Sequence, residues 1–180
     1  MRRRRIVILL AIAGALATGC RSDAKNTSTT ATFATATTAA PSRTPNATVV
    51  RVVDGDTLDA TISGTDERVR LIGIDTPETK KPNTPVQCYG PEASAYTESV
   101  LPVGTPIYIE RDLVARDDYG RLLGYVYRTS DDLFVNADII AKGYARVLEI
   151  KPNLAYHVTF EQGAEQAEKA NLGLWAHCAG

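Results

Sequence analysis

The chain has 180 residues, 20 basic against 21 acidic, and a formal net charge of −1 at pH 7. A protein that grips nucleic acid through its overall field needs a basic surplus, so that class is excluded and any nucleic-acid chemistry must be local. Past the first 46 residues, enough chain remains for one domain with a core of its own.

Arg2 to Arg5 precede an apolar run from Ile6 to about Ala17, then Gly19-Cys20, the order of an export signal. The run is shorter than the roughly 20 apolar residues of a permanent membrane helix. Leu16-Ala17-Thr18-Gly19-Cys20 resembles a bacterial lipobox, in which the cysteine is lipidated and becomes the mature N-terminus. Ordinary cleavage after Ala15-Leu16-Ala17, a small-x-small site, is the alternative. By either route the chain is exported, secreted or held at the cell membrane. Loss of residues 1–19 leaves 16 basic residues against 21 acidic, a net charge of about −5. Residues 20–46, nearly all Thr, Ala, Ser and Pro, bury too little apolar surface to fold and form a linker. Such a coil reaches roughly 25 to 30 Å, which suits a domain tethered through Cys20 just off a membrane.

The folded domain is residues 47–180. β-rich runs occur at 48–53, 57–62 and 67–74, joined by Asp54-Gly55-Asp56 and Ser63-Gly64-Thr65-Asp66, both of turn composition. Two more follow at 106–111 and 122–127. Helices are expected at 91–101, with Pro in the first turn; at 137–142, opened by Asn136 and closed by Gly143; and at 160–171, with Thr159 and Gln162 in capping-box spacing. Strands early and helices late, without βαβ alternation, predict an α+β fold: a five-stranded OB-fold β-barrel with three helices. Trp175 and Tyr125 are expected in the core, and His157 and His177 in structural or exposed positions.

Asp54, Asp56, Asp75 and Glu78 fall at strand ends and turns. Pro77 fixes its own φ and biases Thr76 toward an extended conformation, so Asp75 and Glu78 flank a stiff hinge. If the first three strands pair, both acidic turns share one end of the barrel. Carboxylates gathered there repel unless protonated or bound to a cation, and an oxygen-only donor set favours Ca²⁺ or Mg²⁺. Arg70 sits inside an apolar strand, its direction left open by strand alternation and twist; Arg121 begins another strand after Asp117-Asp118-Tyr119-Gly120. Taken singly these are a hairpin turn, an edge-strand charge and a turn cation paired with Asp117 or Asp118. Together, two arginines, a hard cation and an uncommitted carboxylate are what phosphodiester hydrolysis requires.

With Cys20 lipidated, Cys88 and Cys178 remain as an even pair in an oxidising compartment, where a disulfide is the default. A zinc site with His157 and His177 needs close ligand pairs, and only His177-Cys178 are near neighbours. The bridge closes a loop of about 90 residues, for on the order of 4 kcal/mol in the loop-entropy account.

Five motifs, VVDGDT, RLIGIDTPETK, YGPEASA, DDYGR and KPN, closely resemble in order and spacing those of the thermonuclease (staphylococcal nuclease) family, over about residues 48–176. DGDT alone is a common turn; five motifs in register are specific. The resemblance implies a Ca²⁺-dependent nuclease that cleaves DNA and RNA to 3′-phosphate products. It implies Asp56 and Asp75 as side-chain ligands of Ca²⁺, with Thr76 binding through its carbonyl. Glu78 would orient or deprotonate the attacking water, Arg70 and Arg121 would bind the phosphate, and Asp54 would be a neighbouring carboxylate. One departure stands out: where the family has two tyrosines just before K-P-N, this chain has Leu148-Glu149-Ile150 and is one residue shorter. Tyr119 and Tyr144 remain as the aromatics expected at the substrate. The partners implied are DNA, RNA and, through Cys20, a membrane, with the chain itself monomeric. The rival is a non-catalytic, lipid-tethered OB-fold module that binds nucleic acid or another ligand. Retention of Glu78 argues against it, since a pure binder has no use for a carboxylate facing a phosphate.

Overall fold

The computed structural model describes residues 43–178. The expected signal, the lipid anchor at Cys20 and nearly all of the linker lie outside them.

Two hairpins start the domain. β1 (Ala47–Asp54) turns through Gly55-Asp56 into β2 (Thr57–Ile62), which turns through Ser63-Gly64 into β3 (Thr65–Leu71). Pairing runs antiparallel from Thr48↔Thr61 to Asp54↔Thr57, then from Thr57↔Arg70 to Ile62↔Thr65. β1 also pairs with β5 (Pro106–Glu110), and β5 with β6 (Leu122–Arg128). β6 then meets β3 in parallel, Val69↔Leu122 through Leu71↔Gly124. That last pairing joins the fifth strand to the third and closes the barrel, so none of its strands is left as an edge. The fold is the expected α+β, five-stranded OB-type barrel.

The run expected to be one strand from 67 to 74 is in fact two. β3 ends at Leu71, and β4 (Gly73–Asp75) leaves the barrel to pair with the short β8 (Arg146–Leu148). The break occurs at Gly73, whose φ is +83° and where a Cβ would lie 2.1 Å from the Phe160 ring. Only glycine meets both conditions. The kink carries Asp75 away from the barrel wall toward the turn between β1 and β2. A two-residue β7 (Leu133–Phe134) pairs antiparallel with the end of β6.

The helices are α1 (Gly90–Val100), α2 (Val135–Ala141), α3 (His157–Lys169) and a single turn, α4 (Leu174–His177). Two expected helix starts differ. α3 begins at His157 without a side-chain cap, so Thr159 and Gln162 form no capping box. Asn136, expected as the cap of α2, lies inside its first turn and is fully buried. Its Oδ1 accepts the Val126 N–H at 2.9 Å and its Nδ2 donates to the Ile72 carbonyl at 2.9 Å, stitching helix to barrel. Tyr125 and Phe160 are the largest fully buried side chains. Trp175 is half-buried, with the Arg146 guanidinium 4.3 Å from its ring centre. Cys88 and Cys178 are joined in a disulfide, Cα atoms 5.8 Å apart.

Asn136→Ala is expected to lower the unfolding free energy by about 1 to 3 kcal/mol, the cost of stranding buried backbone groups. Urea denaturation followed by circular dichroism measures it; an unchanged midpoint would deny the amide its bridging role.

Candidate active site

The turn between β1 and β2, the hinge after β4 and the start of β6 meet at one end of the barrel. They line a cleft of about 370 Å³ with Asp56, Arg70, Asp75, Thr76, Glu78 and Arg121.

Asp56 is the hub. Its Oδ2 accepts the Thr76 N–H at 2.8 Å and the Thr76 hydroxyl at 3.1 Å, and lies 3.2 Å from an Arg70 terminal nitrogen. Its Oδ1 accepts the Thr57 hydroxyl at 3.0 Å. The approach is close: a Cβ on Gly55 would lie 2.7 Å from the Thr76 Oγ1. Glycine is therefore required for packing at this position, beside the turn.

Arg70 is only 5% exposed. One terminal nitrogen donates to the Leu71 carbonyl at 2.6 Å; the other lies 3.2 Å from both Asp56 Oδ2 and Asp75 Oδ1. Strand alternation left its direction open; the break after Leu71 turns Asp75 back toward it. Arg121 is held differently. Its Nε donates to Asp117 Oδ2 at 2.7 Å and its backbone N–H to Asp117 Oδ1 at 2.9 Å. Its two terminal nitrogens have no hydrogen-bond partner among the described residues, and the side chain lines the cleft.

Glu78 is cradled by its own loop: Oε1 accepts the N–H groups of Thr79, Lys80 and Lys81 at 2.9, 2.8 and 2.9 Å. The carboxylate is thus held at the cleft through one oxygen. Asp54 accepts from the Gly55 N–H and from the Thr79 and Ser94 hydroxyls, at 2.8, 2.9 and 2.9 Å. Burial alone would raise its carboxyl, but the adjacent Glu78 carboxyl, the Gly55 N–H and the Ser94 and Thr79 hydroxyls hold it below the usual range.

Against the four acids Asp54, Asp56, Asp75 and Glu78, one buried guanidinium, Arg70, is committed inside the cleft. Burial and then the Asp56 charge push the Asp75 carboxyl above its ordinary value; Arg70 pulls it back, while Glu78 and Asp54 add to the rise. The side chain keeps 58% of its surface exposed, so water moderates the effect.

This surplus of negative charge, offered by hard oxygens, fits a divalent cation such as Ca²⁺. Asp75 has one oxygen without a hydrogen bond, and the Thr76 carbonyl accepts none among the described residues. Among the described residues no three acidic, His or Cys side chains are grouped so as to hold a metal by themselves. Asp56, Asp75 and the Thr76 carbonyl would leave such a cation open to water or substrate oxygens.

Tyr119, 86% exposed, lines a larger groove of about 860 Å³ that shares Glu78, Lys81 and Arg121 with the cleft. Tyr144 is not part of the cleft lining; its ring stacks between Tyr89 at 5.5 Å and Tyr96 at 4.3 Å. The apolar part of the lining is Leu148 and Ile150.

The profile of the family described as staphylococcal nuclease homologue matches residues 68–177, more than half the chain. The chain belongs to the staphylococcal nuclease family. A thermonuclease of Staphylococcus intermedius is 46% identical over 127 residues, covering 71% of this chain and 74% of its own. A thermonuclease of Staphylococcus hyicus is 41% identical over 129 residues, 72% and 75%. Endonuclease YncB of Bacillus subtilis is 38% identical over 133 residues, 73% and 62%.

In this family member, Gln87, Thr79 and Ser94 escaped the sequence reading. Gln87 and Thr79 lie in an irregular loop without periodicity, and Ser94 is one polar residue among many on α1. Their tie to the acids is made only by folding.

A carboxyl raised by folding favours the protonated form, so its contribution to stability is present below the ordinary carboxylate range and lost as pH rises through the folded value. Asp75→Asn should therefore raise the melting temperature of the metal-free protein at pH 7, the gain shrinking as pH falls to about 4. Thermal melts in EGTA at the two pH values check this, and a lower melting temperature at pH 7 would contradict it.

Proposed function

We propose that the protein is a Ca²⁺-dependent nuclease, a phosphodiester hydrolase that cleaves DNA and RNA to 3′-phosphate products. The observation that carries this reading is the opposition, across one cleft, of two differently held guanidiniums and a carboxylate cradled by backbone amides. A binding module has use for the arginines but none for Glu78.

The roles follow from the contacts. Arg121, gripped by Asp117 through Nε, offers its free terminal nitrogens to a non-bridging phosphate oxygen; Arg70, buried and rigid, meets the same group from the cleft floor. Both stabilise the charge that accumulates at phosphorus as water adds. Glu78 accepts the water proton, the bond to the 5′ oxygen breaks, and that oxygen takes a proton from solvent, leaving the phosphate on the 3′ side. Asp56, Asp75 and the Thr76 carbonyl would hold Ca²⁺, which when bound supplies Lewis-acid polarisation of the phosphate oxygens. Asp54 fixes the loop that carries Glu78 through Thr79.

The N-terminal segment is proposed to export the chain, and Cys20 to anchor it by a lipid, so that a monomeric nuclease works at the outer face of a membrane. The Cys88–Cys178 bridge suits that oxidising compartment.

The deciding test is breakdown of heat-denatured DNA and of RNA by purified protein in Ca²⁺ and in EGTA. Hydrolysis is expected only with Ca²⁺. Arg70→Ala and Arg121→Ala should each lose about 10² to 10³ in kcat, by analogy with removal of an oxyanion donor. Glu78→Gln should lose about 10² to 10⁴. Folded, metal-loaded protein that binds DNA and leaves it intact would replace the nuclease reading with the binding module.

A further inference from the structure

Glu78 owes its place to more than its own loop. Its backbone N–H donates to Gln87 Oε1 at 2.9 Å, and the Gln87 N–H donates back to the Glu78 carbonyl at 2.9 Å. This reciprocal pair pinches off residues 79–86, most of which are exposed, with Val86 60% exposed. No apolar anchor therefore holds the loop. The pinch is reinforced on the α1 side: the Gly90 N–H donates to the Gln87 carbonyl at 3.1 Å, and a Cβ on Gly90 would lie 2.7 Å from Thr79 Cγ2.

Gln87 is itself exposed, and a hydrogen-bonded pair open to water is weak by itself. Its neighbour Cys88 is not free to move. It is bonded to Cys178, which follows α4, and α4 is seated by buried Leu174, whose N–H donates to the Gly143 carbonyl at 2.8 Å. The covalent link thus runs from the body of the fold to the residue beside the one that grips Glu78.

We propose that Gln87, fixed by the Cys88–Cys178 bridge, is the positioning residue for Glu78, so that the cleft is fully assembled only in the oxidised chain. The proposal rests on the nuclease reading for its consequence in rate, though not for its consequence in structure. Two electrons and two protons from a dithiol such as dithiothreitol, itself oxidised to a cyclic disulfide, convert the bridge to two thiols. Cys88 is exposed and open to that exchange. A reducing compartment then holds a slow form of the enzyme and an oxidising one a fast form, which protects DNA inside the cell before export.

The test compares oxidised protein, dithiothreitol-treated protein, Cys88→Ser/Cys178→Ser, Gln87→Leu and Gln87→Glu, which keeps an acceptor for the Glu78 N–H. Two readouts are taken: steady-state kinetics on single-stranded DNA in Ca²⁺, and amide hydrogen exchange without Ca²⁺. Reduction, the double serine variant and Gln87→Leu should each lower kcat at least tenfold with KM changed less than twofold. Gln87→Glu should retain most of kcat, and reduction should add little to Gln87→Leu, since both remove one device. The amides of Thr79, Lys80 and Lys81, which bond Glu78, should exchange faster in the impaired forms while those of β2 keep their protection. A lower melting temperature with unchanged kcat and unchanged exchange at 79–81 would overturn the proposal and leave the bridge a structural staple. Should oxidised wild-type protein hydrolyse no DNA, the nuclease reading falls, and the exchange at 79–81 still decides whether Gln87 and the bridge position Glu78.

Discussion

The Asp56 carboxylate ties the turn between β1 and β2 to the hinge after β4. With one oxygen it holds the Thr76 N–H and hydroxyl and lies against Arg70; with the other it takes the Thr57 hydroxyl. These bonds span the turn between β1 and β2, strand β3 and the hinge after β4. Because the carboxylate and guanidinium are nearly enclosed, removal of either strands a charge in a poorly solvated place, far costlier than breaking a surface pair. The position of Asp75, and through Pro77 that of Glu78, follows from this knot.

The knot also explains why acids can be concentrated here without unfolding the barrel end. Each is secured differently: Asp54 by hydroxyls and an amide, Asp56 by Thr76 and Arg70, Glu78 by three loop amides. Asp75 has the fewest partners and carries the electrostatic strain of its neighbours. A carboxylate left under-satisfied in this way would give up a little stability, the compromise expected where function competes with folding. The arginines divide similarly. Arg70 is nearly enclosed and held on both terminal nitrogens, whereas Arg121 is partly exposed and held by Asp117 through one edge.

Leu148 and Ile150, in the stretch that departs from the family's tyrosine pattern, make the apolar part of the cleft lining aliphatic. An aliphatic wall contributes contact area without the stacking geometry of a ring, worth about 1 to 3 kcal/mol per base. Tyr144 does not compensate, since its ring is used between Tyr89 and Tyr96. Tyr119 stands in the adjoining groove, the exposed aromatic nearest Arg121, 5.6 Å from its guanidinium. A nucleotide in this cleft would lean more on phosphate contacts than on base stacking.

Much was determined by the sequence alone: the strand runs and turns that make the barrel, α1 with its early proline, the pairing of the two cysteines, and the residues of the acidic and basic set. These are legible because hydrophobic period, turn chemistry and short motifs are local properties. Tertiary structure alone decided the break at Gly73, demanded by Phe160 from a distant helix. It also moved Asn136 from an expected cap into a buried bridge, because Val126 and Ile72 needed partners there. It decided that Arg70 reaches both Asp56 and Asp75, which no strand period specifies, and that Gln87 grips Glu78 across a loop without a pattern. Contacts between residues far apart in the chain carry no periodic trace, because what selects them is the unmet hydrogen bond or charge of a partner that only folding brings near.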